Sequence, residues 1–188
     1  MQAQDKEGTG WHRIGFNVGY GNVNNLLFND EDYAYVLRTF KGQAYYRIKE
    51  GKLDLELLFE PQINQARHEL LNMYFVNPED RERFMQERPI NEYLISGGFL
   101  VRKTLFNTLE GYVLGSLGLG YIDEASERLA KGFTFVDQIS LGISWGFMKN
   151  GYIDIRPSFR HMSNANLKRP NSGYNSLNIE FGIAFDIN

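Results

Sequence analysis

From Leu177 to the C-terminus every second residue is apolar. Leu177, Ile179, Phe181, Ile183, Phe185 and Ile187 fall on one side of an extended chain, and Asn178, Glu180, Gly182, Ala184 and Asp186 on the other. A period of two marks a strand with one apolar face. The same rhythm sets Ile153, Ile155, Pro157 and Phe159 against Asp154, Arg156, Ser158 and Arg160. It also sets Leu53, Leu55, Leu57, Phe59, Pro61 and Ile63 against Asp54, Glu56, Glu60, Gln62 and Asn64. A further run, Phe133, Phe135, Ile139, Leu141, Ile143, Trp145 and Phe147, alternates with Thr134, Gln138, Ser140, Gly142, Ser144 and Gly146, and Asp137 interrupts it. Alternation is weaker at Ile14, Phe16, Val18 and Tyr20, at Tyr93, Ile95, Phe99 and Val101, and at Val113, Leu117 and Leu119. Residues 34–48 are strand-like without a clear parity.

Eight strands are predicted, near 12–21, 34–48, 52–67, 92–103, 108–121, 133–148, 152–163 and 174–187. Their connections alternate in length. Short turns fall at 49–51, 103–107 and 149–151, and long connections at 22–33, 68–91, 122–132 and 164–173. In the longest, Asn77-Pro78-Glu79-Asp80 has the form of an N-cap followed by proline, predicting a short helix near 78–87. Alternation alone fits either a soluble barrel or one that spans a membrane, because both have one apolar and one polar face. Strands of about ten residues, a Gly-containing charged face and the short/long rhythm of connections favour an eight-stranded antiparallel up-and-down transmembrane β-barrel.

Composition narrows the function. The 20 Lys+Arg nearly balance 23 Asp+Glu, which does not indicate a cationic nucleic-acid surface. There is no Cys, so disulfides, thiolate metal sites and a cysteine nucleophile are excluded, and no metal or other cofactor is called for. Aromatic residues make up 14% of the chain and glycines number 19, a mixture suited to strands with interfacial aromatics. No run approaches the roughly 18 apolar residues of a spanning helix. We read residues 1–188 as a single domain, with 1–10 expected as a flexible mature N-terminus carrying an added initiator Met.

Three histidines are present. His12 and His68 lack evident companions and are expected at the surface or interface. His161 sits in Phe159-Arg160-His161-Met162-Ser163-Asn164-Ala165 at the end of the seventh predicted strand, and the eighth follows Pro170-Asn171-Ser172-Gly173-Tyr174-Asn175. His161 and Ser163 are two apart, so both share the face of Ile153, Ile155 and Phe159, which is the lipid-facing one. A hairpin centred on Lys168 puts Asn175 opposite His161, with Cβ atoms about 5 Å apart. A serine hydroxyl becomes a good nucleophile when an imidazole takes its proton, and a third group must fix the imidazole tautomer. Asn164 or nearby backbone amides are candidates to hold an oxyanion. Asp54, Glu56 and Glu60 share the inward face with Arg156 and Arg160, so an internal salt-bridge network is expected in place of a carboxylate pair for catalysis. Gly19-Tyr20-Gly21-Asn22 is no nucleotide loop, since no βαβ unit follows. Arg128, Lys131, Lys168 and Arg169 are expected as solvated loop charges.

His-x-Ser-Asn-Ala at 161–165 and Pro-Asn-x-Gly-x-Asn at 170–175, together with the barrel patterning of the whole chain, resemble the lipid A 3-O-deacylases (PagL-like) of the bacterial outer membrane. The resemblance implies His161 as general base, Ser163 as nucleophile and Asn164 as an oxyanion contributor. It implies lipid A of lipopolysaccharide as substrate and the ester-linked acyl chain at the 3-position as the bond cut. Better-known members carry Glu where this chain has Asn175, and an amide accepts from an imidazole N–H without stabilising imidazolium by charge. A non-catalytic structural or adhesion barrel with a degenerate site is the alternative. A soluble barrel binding a small apolar ligand is a third reading.

Overall fold

The computed structural model describes residues 8–23 and 30–187. Eight strands close into an antiparallel barrel in sequence order: β1 (Gly10–Asn22), β2 (Tyr33–Lys49), β3 (Asp54–Leu70), β4 (Arg88–Phe106), β5 (Leu109–Ile122), β6 (Gly132–Met148), β7 (Gly151–Ser163) and β8 (Tyr174–Asp186). The ring is completed by β1 on β8, from Arg13 opposite Asp186 to Asn22 opposite Leu177. Closure leaves no unpaired sheet edge, a condition for crossing a bilayer with strands. Of the residues expected as a flexible start, 1–7 lie outside the described range, and Gly10 already opens β1.

β1, β3 and β4 extend two to four residues beyond the predicted strands at one or both ends, β4 most of all, and β3 starts two residues later than predicted. The predicted helix is present as α1 (Pro78–Phe84), preceded by a 3-10 turn at Met73–Phe75. Asn77 stands at the helix N-cap without a side-chain bond, and α1 stops three residues short of the predicted end. No helix among the described residues is long and apolar enough to cross a membrane.

The apolar rows face outward. Ile179, Phe181, Ile183, Phe185 and Ile187 are exposed on β8, while Asn178, Glu180 and Ala184 between them are buried. Residues 33–48 resolve the same way, with Thr39, Lys41 and Gln43 inside and Phe40 outside. Their parity is obscured in the sequence because Tyr33, Tyr35, Leu37 and Tyr45 also point inward, making both faces apolar.

The interior is packed in layers. At the external mouth Tyr33, Tyr35, His68 and Tyr174 stack on one another, Tyr35 on Tyr174 at 4.5 Å between ring centroids. Below them Arg160 meets Glu92 at 2.6 Å, and Arg156 bridges Glu60 at 2.7 Å to Glu180. Lys41 completes that layer, 2.9 Å from Glu180. Nearer the short turns Arg102 holds Glu56 and Glu110, and Tyr112 donates to Asp154 at 2.8 Å. This is the salt-bridge network expected of Glu56, Glu60, Arg156 and Arg160, although Arg160 pairs with Glu92, and Asp54 instead accepts from Gly51 N–H in the β2–β3 turn. Bulk is accommodated by glycines on the inner wall. At Gly142 a Cβ would lie 2.0 Å from the Tyr112 ring.

His12 and His68 correct the sequence reading. Both are buried inside the barrel and both have a carboxylate: His12 lies 3.6 Å from Glu56 and His68 3.1 Å from Glu127. The parity of β3 turns His68 inward, and Glu127 reaches it from the β5–β6 loop, a pairing that sequence spacing does not reveal.

Candidate active site on the outer wall

β7 and β8 form a hairpin whose register sets His161 directly opposite Asn175 and Phe159 opposite Leu177. The pleat places both polar residues on the outward row. His161 Nδ1 lies 2.7 Å from Asn175 Oδ1. An amide oxygen only accepts, so Nδ1 carries the hydrogen and Nε2 keeps its lone pair. Ser163, two residues further along the same row, ends β7. Each of the three side chains is partly exposed.

The connection between the strands folds back beneath Ser163. The Asn164 N–H donates to Asn171 Oδ1 at 2.7 Å, and the Asn164 amide donates to Lys168 O at 2.6 Å and to Pro170 O at 3.4 Å. Ala165 and Asn166 take left-handed conformations, φ 50° and 65°, which turn the chain. Asn164 is thereby buried within the hairpin, while His161, Ser163 and Asn175 stay together on its outer side. The two motifs of the sequence are therefore one folded unit, with Asn164 and Asn171 tying them.

Gly173 explains its own presence. Its φ is +72°, and a Cβ there would lie 2.5 Å from Met162 O, 3.1 Å from His161 Cε1 and 3.5 Å from Ser163 Cβ. Any side chain would intrude between imidazole and hydroxyl.

The β5–β6 loop braces the hairpin. Leu129 bridges to Asn171, Ala130 N–H donates to Pro170 O, and Arg128 Nε donates to Gly173 O at 3.0 Å. Arg128 also stacks on Tyr33 at 4.2 Å and lies 3.6 Å from Asp30, so it is a structural tie where the sequence suggested a solvated charge. These loop contacts join residues forty or more positions apart, and no local pattern announces them.

The remaining neighbours come from β6: Phe135 lies opposite Ser163 and Asp137 opposite His161. Among the described residues no cluster of His, Asp and Glu suited to a metal is present.

A family model for lipid A 3-O-deacylase (PagL) matches residues 12–184. The chain belongs to this family. In fold it is similar to the crystal structure of the outer membrane enzyme PagL, with a TM-score of 0.57 at 12% identity over 90% of this chain and 97% of that one. It is similar also to Neisserial surface protein A (NspA), with a TM-score of 0.56 at 12% identity over 94% and 97%. A comparison with curated protein sequences finds no significant match. Family membership and the outward apolar rows place this PagL-family barrel in the bacterial outer membrane.

Proposed function

We propose that the chain is an outer-membrane esterase that releases the ester-linked acyl chain at the 3-position of lipid A. The observation that carries this reading is the His161–Asn175 hydrogen bond, 2.7 Å long, on the same outward row as Ser163. Substrate enters sideways from the outer leaflet. Ser163 Oγ bonds to the ester carbonyl carbon as its proton passes to His161 Nε2, while Asn175 keeps the ring in that tautomer. The sugar oxygen then leaves with the proton from His161, and water, activated by the same imidazole, frees the fatty acid and restores Ser163. Asn164 is assigned to the oxyanion side of the scheme.

The acyl chain has a place to lie. A shallow apolar depression on the outer wall is lined by Phe133, Leu119, Tyr121, Ile95, Pro61 and Gly42. Its Phe133 end stacks edge-on at 5.0 Å against Phe135, the residue opposite Ser163.

Purified lipopolysaccharide incubated with the protein in detergent and analysed by mass spectrometry tests the proposal. The expected product is lipid A lighter by one hydroxyacyl chain, with none formed by Ser163→Ala. Loss of mass at a secondary acyl chain, or equal release by the variant, overturns it. Asn175 in place of a carboxylate favours a second reading, a barrel without catalysis, which unchanged lipid A in both samples supports.

A further inference from the structure

Asp137 occupies the outward row of β6 between Phe135 and Ile139, and it is exposed. Among the described residues it is the one ionised side chain on the outward rows of β5 to β8. The carboxylates at similar positions on the inner wall all have partners: Glu60 and Glu180 meet Arg156, Glu92 meets Arg160, and Asp154 accepts from Tyr112. Asp137 is engaged by no hydrogen bond or ion pair among the described residues. A lipid-facing carboxylate is costly towards the bilayer interior, so a lone one on this wall asks for a reason. Register supplies it. Asp137 is the direct cross-strand neighbour of His161, on the side away from Asn175. Side chains so paired have Cβ atoms about 4.5–5.5 Å apart.

We propose that Asp137 is a positioning residue that supplies the negative charge beside His161, so that two strands share a task usually given to one carboxylate. This rests on the esterase reading above. Asn175 on β8 fixes the tautomer, and Asp137 on β6 stabilises the imidazolium formed when the Ser163 proton reaches Nε2. Asp137 exchanges no proton in this scheme. The other groups around the ring do not provide this charge. Phe159 and Ser163 on β7, Phe135 on β6, and Asn175 and Leu177 on β8 are uncharged. Arg128, bonded to Gly173 O, together with Lys168 and Arg169 on the hairpin, is cationic and opposes imidazolium.

The test is a double-substitution cycle on the full-length protein in detergent, read by acyl release and by the rate at which a fluorophosphonate probe labels Ser163. Asp137→Asn is expected to lower kcat by about tenfold with KM unchanged and to slow labelling similarly, and Asp137→Glu to recover most of the loss. In an Asn175→Glu background, where a carboxylate is supplied from β8, the same Asp137→Asn change is expected to cost less than about threefold. Equal losses in both backgrounds, a rise in KM alone, or wild-type rates in Asp137→Asn overturn the inference while leaving the esterase reading intact. If wild type releases no acyl chain but the probe labels Ser163 more slowly in Asp137→Asn, the substrate assignment fails and the inference holds. A wild-type Ser163 that the probe does not label overturns both.

Discussion

The layer formed by Arg156, Glu60, Glu180 and Lys41 and the outer-wall group formed by His161, Ser163, Asn175 and Asp137 are polar clusters of one barrel that differ in burial and in pairing. Inside, every charge named here is met by an opposite one at 2.7–3.4 Å or closer and shut off from water. Removing one member there leaves its partners uncompensated, so the layer is a device of folding. Outside, the imidazole holds one neutral partner, and the carboxylate next to it holds none among the described residues. Such an incomplete group contributes little to stability and keeps its valences for a reactant. In this barrel the paired charges lie inside, and the carboxylate left unpaired among the described residues lies on the outer wall.

The contrast can be broken most strongly at His161. Replacing it by Asn removes the base, and acyl release is expected to fall by about 10²–10⁴-fold, while urea unfolding in detergent micelles stays at the wild-type midpoint. Arg156→Met should do the reverse. It strands Glu60 and Glu180, and a loss of about 3–5 kcal/mol in the same unfolding assay is expected, with near-normal turnover in whatever fraction folds. Gly173→Ala touches both categories. The left-handed backbone costs about 1–2 kcal/mol for an L-residue, and the methyl group between His161 and Ser163 should depress release more than stability. The smallest effect sharpens the comparison in the other direction: Asn175→Glu completes the outer-wall group with a charge and should raise kcat by roughly threefold to tenfold, the share of one partly exposed ion pair.

Much of this is legible in the sequence alone. The alternation from Leu177 to Ile187 determines which residues of β8 face lipid, and β7 and the core of β6 follow the same rule. His161, Ser163 and Asn175 were locatable because the hairpin that joins them is short and its parity is clean. The parity of 33–48 was not, since the tyrosines that fill the mouth make the inward face as apolar as the outward one. Asp137 was visible only as an interruption of the β6 pattern. Placing it beside His161 requires the exact β6–β7 register, which shifts by one residue between Gly146 and Met148, and a slip of that size exchanges inward and outward faces. The ties from Arg128 to Gly173 and from Glu127 to His68 lay beyond reach because loop-to-strand contacts over such separations leave no periodic trace.

The filled interior also decides what kind of membrane protein this is. With Arg156, Arg160, Lys41 and the tyrosine stack buried inside the barrel, an ion would have to displace paired charges to move through. Inserted in a planar bilayer under voltage, the protein is expected to be electrically silent. On the proposed esterase reading the lipid reactant then arrives by lateral diffusion and meets the cylinder from its flank, so the concentration that governs the work is a density per area of leaflet.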